Sequence, residues 1–136
     1  MRIDRIRAAL AMLALLVTAP LFAQQPAPHA VVNELMSKAL AEAPGKELEM
    51  ISVDYPPGSV DPVHRHDAYA FVYVIEGHIE MGLRGGEVVR LGPGETFYEG
   101  PHDVHTVGRN ASATEPARFV VFLVKNQGAP LLTPTE

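Results

Sequence analysis

The chain has no cysteine. That absence excludes disulfides, thiolate metal sites and a cysteine nucleophile. A basic stripe is missing too. The 11 basic residues are outnumbered by 16 acidic ones, for a net charge of −5 at pH 7, so no nucleic-acid partner is expected. There is no Gly-x-Ser-x-Gly elbow and no Gly-x-Gly-x-x-Gly loop. The Gly85–Gly86 pair sits in a hairpin pattern, not between strand and helix, so it cradles no phosphate. The apolar run "AALAMLALLVTAPLFA", residues 8–23, is shorter than the about 20 residues of a comfortable membrane span, and Pro20 interrupts it.

What is present begins with that run. Arg2, Arg5 and Arg7 precede it, and the small residue Ala23 closes it before "QQPAP". This reads as a secretory signal peptide over residues 1–23, cut after Ala23. The arginines are not adjacent, so a twin-arginine signal is unsupported, and with no cysteine after the run a lipoprotein is excluded. Without residues 1–23 the chain holds 8 basic and 15 acidic residues, a net −7. An acidic, soluble, periplasmic or secreted domain is expected, with no membrane partner after cleavage. Its 136 residues, 47% hydrophobic, suit one domain with a real core.

Residues 24–45 read as a proline-rich linker and a short helix. Val31, Val32, Leu35, Ala39 and Leu40 recur at roughly helical spacing, which predicts a helix over 30–42 ended by Pro44 and Gly45. From Lys46 to Asn126 the pattern changes to short alternating or β-branched runs with turn signals between them, the pattern of an all-β sandwich or barrel. The tail, residues 127–136, shows no strand pattern.

His64 and His66 stand one residue apart just before the run "AYAFVYVIEG". A strand places such residues on one face, so both imidazoles can aim at one point. With them facing inward, Ala70, Val72 and Val74 continue the inner face. Phe71, Tyr73 and Ile75 then face outward and are too apolar for solvent, which predicts a homodimer built partly on that face. Glu99 ends the run "ETFYE"; if Phe97 faces inward, Glu99 does so as well.

Two stretches, Gly58–Gly77 and Gly94–Asn110, resemble the two motifs of the cupin superfamily. In the first, Gly58, His64, His66 and Gly77 fall in place; in the second, Gly94 and His105 do. The departures are specific. The glutamate of the first motif falls on Ala70, or on Phe71 with the longer spacing. In the second, Gly100, His102 and Arg109 occupy the proline, glycine and asparagine positions. The resemblance covers residues 46–126. It implies a double-stranded jelly-roll β-barrel with a divalent transition metal (Fe, Mn, Zn, Ni or Cu) near its centre, held by His64, His66 and His105, and a small molecule entering at one mouth. Glu99 is the candidate replacement for the carboxylate missing at Ala70, as ligand or base, and Tyr69 a candidate phenol ligand or acid. Two functions stand open: a metal-dependent enzyme of dioxygenase, isomerase or lyase type acting on a small organic molecule, or a non-catalytic barrel that binds or senses a metal or small ligand.

Overall fold

The computed structural model describes residues 26–136; the signal peptide read over 1–23 lies outside them. The described chain forms ten strands: β1 (Val31–Ala39), β2 (Lys46–Tyr55), β3 (His64–Arg65), β4 (Tyr69–Glu76), β5 (Ile79–Leu83), β6 (Val89–Leu91), β7 (Thr96–Glu99), β8 (His105–Asn110), β9 (Ala117–Asn126) and β10 (Thr133–Pro134). They make two antiparallel five-stranded sheets, ordered β1-β2-β9-β4-β7 and β10-β3-β8-β5-β6. Alternation sets which face is buried. Ala117, Phe119, Val121, Leu123 and Lys125 point inward along β9 while their neighbours are exposed or half-buried. Ile51, Val53 and Tyr55 do so on β2, and Ala70, Val72 and Val74 on β4. Ile79 and Met81 of β5 and Leu91 of β6 close the core from the second sheet.

No helix occurs among the described residues, and the one expected over 30–42 is a strand. β1 pairs antiparallel with β2 from Val31↔Asp54 to Ala39↔Glu47, with a register irregularity between Glu34 and Met36. Two physical reasons favour the strand. Pro44 and Gly45, read as a helix stop, instead close a hairpin: Leu40 N–H donates to Lys46 O at 2.9 Å, and Gly45 has φ of 79°. The other side of β2 is already paired with β9 along its length, so its open edge offers a full row of backbone partners, which outweighs a weak helical pattern. All nine residues of β1 are exposed, so no buried face imposes an alternation on its sequence.

Buried polar groups are held where the chain turns. Asn110 Nδ2 donates to Tyr55 O and Pro56 O at 3.1 Å and to Glu115 O at 2.8 Å, while its Oδ1 accepts from Ser112 N. One side chain thus satisfies carbonyls from two loops. Lys125, inward on β9, pairs with Glu47 at 2.6 Å and Glu49 at 3.1 Å and donates to Ala129 O at 2.7 Å. That last bond ties the C-terminal tail to the barrel.

Gly77, after β4, has φ of 69°, and a Cβ there would run into Pro116 O and stand 2.8 Å from Ala117 Cα. Gly77→Ala is therefore expected to destabilise the protein by roughly 2–4 kcal/mol, through backbone strain plus the clash. Urea denaturation checks this; a loss below about 0.5 kcal/mol contradicts the close approach.

Candidate metal centre

Two cross-strand pairs, one from each sheet, build the site. In the second sheet His64 on β3 stands directly opposite His105 on β8. In the first, Ala70 on β4 stands opposite Glu99 on β7. His66 lies just past β3. Asp67, with φ of 49°, then turns the chain out of one sheet into β4 of the other. Aspartate is among the few non-glycine residues enriched in that left-handed region.

The protons can be placed from the partners. His64 Nδ1 is 2.8 Å from Pro62 O, and His66 Nδ1 is 2.8 Å from Leu131 O. A carbonyl oxygen only accepts, so each Nδ1 carries the proton and each Nε2 presents a lone pair. Those two Nε2 atoms face each other across 3.2 Å. His105 Nδ1 lies 3.4 Å from His64 Nε2 and 3.5 Å from Glu99 Oε2, which is 3.6 Å from His66 Nε2. All four atoms fall within 4.8 Å of one another.

The lone pairs on the two Nε2 atoms repel each other unless something positive, a proton or a metal ion, sits between them. Glu99 Oε2 is buried with no hydrogen-bond partner, as is His105 Nε2. Donors bound to one ion at about 2.0–2.2 Å stand about 3.0–3.5 Å apart, close to the separations found here. Three imidazoles and a carboxylate also form a donor set suited to first-row transition metals. The residues fit a divalent ion.

The environment disfavours charge on the ligands themselves. Burial pushes the Glu99 carboxyl up to about 7, and the negative charges of Asp103 and Asp61 add to the effect. Burial likewise pulls His105 down to about 4, reinforced by His64 and His66. His66 is lowered, mainly by burial. An ion in their midst inverts this logic by favouring the carboxylate and the neutral rings.

The carboxylate missing at Ala70 is thus placed one strand away, on the residue that pairs with Ala70. Tyr69 is corrected: it is not part of the cluster. It is 46% exposed on the outer face, because period two sends it opposite to Ala70. His102 and His78 are exposed and lie outside the cluster. Reading the sequence missed three contributors. The tail supplies Leu131, whose carbonyl fixes the His66 ring, and β10 pairs with β3 beside His64. Tyr55 and Asp61 line the same cavity as the four ligands. Asp61 lies within the first motif, three residues before His64, so its position was a usable signal; nothing in the pattern of the tail announced Leu131.

Glu99→Gln keeps the shape and removes the charge. The folded carboxyl titrates at about 7 against an ordinary value of 4.5, so its favourable contribution is present below pH 4.5 and lost as the pH rises through about 7. Metal-free Glu99→Gln protein is expected to be about 3 kcal/mol more stable than the native chain at pH 8, with the gain vanishing towards pH 4. Denaturation after chelation measures this, and an equal or lower stability at pH 8 contradicts the buried acceptor ring.

The comparisons with known proteins bear on this fold. Among curated proteins no match is found. Among solved structures, an uncharacterised conserved protein with a double-stranded β-helix domain from Klebsiella pneumoniae aligns with a TM-score of 0.62 at 20% identity, over 83% of this chain and 90% of that one. The DMSP lyase DddQ from Ruegeria pomeroyi DSS-3 aligns with a TM-score of 0.57 at 24% identity, over 65% of this chain. An oxalate oxidase in complex with glycolate gives 0.57 at 26%, over 77% of this chain. The alignment spans 43% of the lyase and 54% of the oxidase, about half of each enzyme. The profile of the cupin domain matches residues 51–123, more than half of the sequence. With two facing antiparallel sheets and both motif histidine sets on their inner walls, the chain belongs to the cupin domain family.

Proposed function

We propose that this chain is an exported cupin metalloprotein that holds a divalent transition metal on His64, His66, His105 and Glu99 and acts through it on a small organic molecule. One observation carries the reading: four electron-pair donors converge in a buried corner, while the ring protons of His64 and His66 are committed to Pro62 O and Leu131 O. Bound there, such an ion supplies Lewis-acid polarisation of a ligand oxygen. The chain's own residues do the rest. Pro62 O and Leu131 O orient two imidazoles, a role in which such partners typically govern metal affinity. Val72, Met81, Phe119 and Val121 give the cavity of about 200 Å³ apolar walls beside the cluster. One structural neighbour is named a lyase and another an oxidase; both names support turnover here over a purely structural barrel. A non-catalytic metal or ligand carrier is the alternative, and substrate turnover by the loaded protein discriminates the two.

Elemental analysis of untagged protein purified from the periplasmic fraction tests the metal. About one divalent transition-metal ion per chain is expected, lost in the His64→Ala, His66→Ala, His105→Ala triple variant. Equal metal content in both proteins sinks the proposal. Intact mass of the same sample reads the export reading: a chain beginning at Gln24 supports it, and a retained Met1 contradicts it.

A homodimer is proposed on the outer face of the first sheet. Tyr98, Phe71 and Phe122 stand side by side across β7, β4 and β9. Phe71 and Tyr98 have ring centroids 5.4 Å apart, and all three rings are 37–48% exposed. Tyr69, Tyr73 and Ile75 extend the patch along β4. A contiguous apolar patch of this kind marks an association surface. Sedimentation is expected to give a dimer at micromolar concentration and a monomer for Phe71→Lys with Tyr98→Lys; a native monomer contradicts it.

A further inference from the structure

The cavity that holds the four ligands has a second polar corner. Tyr55, buried on β2, donates its hydroxyl to Asp61 Oδ2. Asp61 is clamped from the other side, its N–H donating to Gly108 O at 2.8 Å. Gly108 lies on β8, three residues after His105. A Cβ there would stand 3.1 Å from Asp61 Oδ2 and 2.9 Å from His105 Cε1. The bare glycine is therefore what lets the carboxylate and the imidazole share that corner. Asp61 lines the cavity, and among the described residues its Oδ1 takes no hydrogen bond from the protein. That oxygen is free to meet a ligand.

The charge inventory of this cavity is one-sided. Its lining holds two carboxylates, Glu99 and Asp61, and no lysine or arginine among the described residues. Apart from the histidines, Tyr55 and these two acids, the walls are apolar. An ion on the four ligands offsets the two negative charges and leaves no surplus to hold an anionic ligand. At about 200 Å³ the cavity is also smaller than the ~300–1,000 Å³ typical of sites for drug-sized ligands.

Resting on the metal reading above, we propose that Asp61 sets the specificity of this site. Its ligand is a small uncharged or cationic molecule that brings an oxygen or nitrogen to the metal cluster and a hydrogen-bond donor to Asp61, and anions are selected against. Tyr55 is the positioning residue for Asp61. The free oxygen of Asp61 reads the donor, and its charge repels a carboxylate that would otherwise be the better chelator.

The test uses the full mature chain loaded with cobalt(II), whose visible absorption reports on the bound ion. Two probes of matched size, uncharged glycolamide and anionic glycolate, are titrated against it. The native protein is expected to bind glycolamide more tightly. Asp61→Asn, which keeps the shape and removes the charge, is expected to shift the preference towards glycolate by about tenfold or more. Asp61→Ala must shift it in the same direction, which guards against an effect of the introduced amide. A native preference for glycolate, or a preference unchanged in both variants, overturns the inference and leaves the metal centre standing. Failure to take up cobalt at all overturns the metal reading and this inference with it, and the spectrum recorded before any probe is added tells the two failures apart.

Discussion

Lone-pair repulsion at one buried point is the constraint on which the rest of this structure turns. His64 Nε2 and His66 Nε2 face each other at 3.2 Å, and neither has a proton to share, because each ring has given its own to a carbonyl. His105 Nδ1 and Glu99 Oε2 crowd the same corner at 3.4–3.6 Å. A fold selected for stability alone would fill this space with aliphatic side chains, since buried ionisable clusters are commonly less stable than well-packed apolar ones. The surrounding core of β-branched and aromatic residues can carry that penalty, and a bound cation converts it into binding free energy.

The architecture makes the cluster by pairing strands rather than by clustering residues in sequence. His64 and His105 are a cross-strand pair; Ala70 and Glu99 are another, in the opposite sheet. The second pair sets the Glu99 carboxylate on the inner face, across the β4–β7 ladder from Ala70, the position at which the first motif has its glutamate. The tail completes the arrangement. Lys125 ties down Ala129, the segment continues to Leu131, and the Leu131 carbonyl orients His66. The tail is therefore coupled to the histidine–glutamate cluster through backbone geometry.

Much of this could be read from residue patterns. The two histidines at alternate positions, the distant His105 and the glycines Gly58, Gly77 and Gly94 pointed to the family, and period two placed Ala70, Val72 and Val74 inside. The same rule, applied from Phe97, placed Glu99. It also decides against Tyr69, whose odd-numbered position puts it with Phe71 and Tyr73 on the outer sheet face. β1 was misread because none of its residues is buried, so no alternation marks it as a strand, and because its partner edge lies in residues that follow it. The tail was missed because its contribution is a carbonyl, which every residue has. Asp61 stands inside the first motif and could have been read from its place before His64; its pairing with Tyr55 was missed because that depends on the close approach of Asp61 to Gly108, a tertiary contact that leaves no periodicity behind.

Crystals of the metal-loaded mature protein, with anomalous scattering recorded at the absorption edge of the bound element, test the central claim most directly. One anomalous peak is predicted at about 2.0–2.3 Å from His64 Nε2, His66 Nε2, His105 Nδ1 and a Glu99 oxygen together. A peak elsewhere in the molecule, or His64 and His66 rings turned apart with no ion between them, would contradict it.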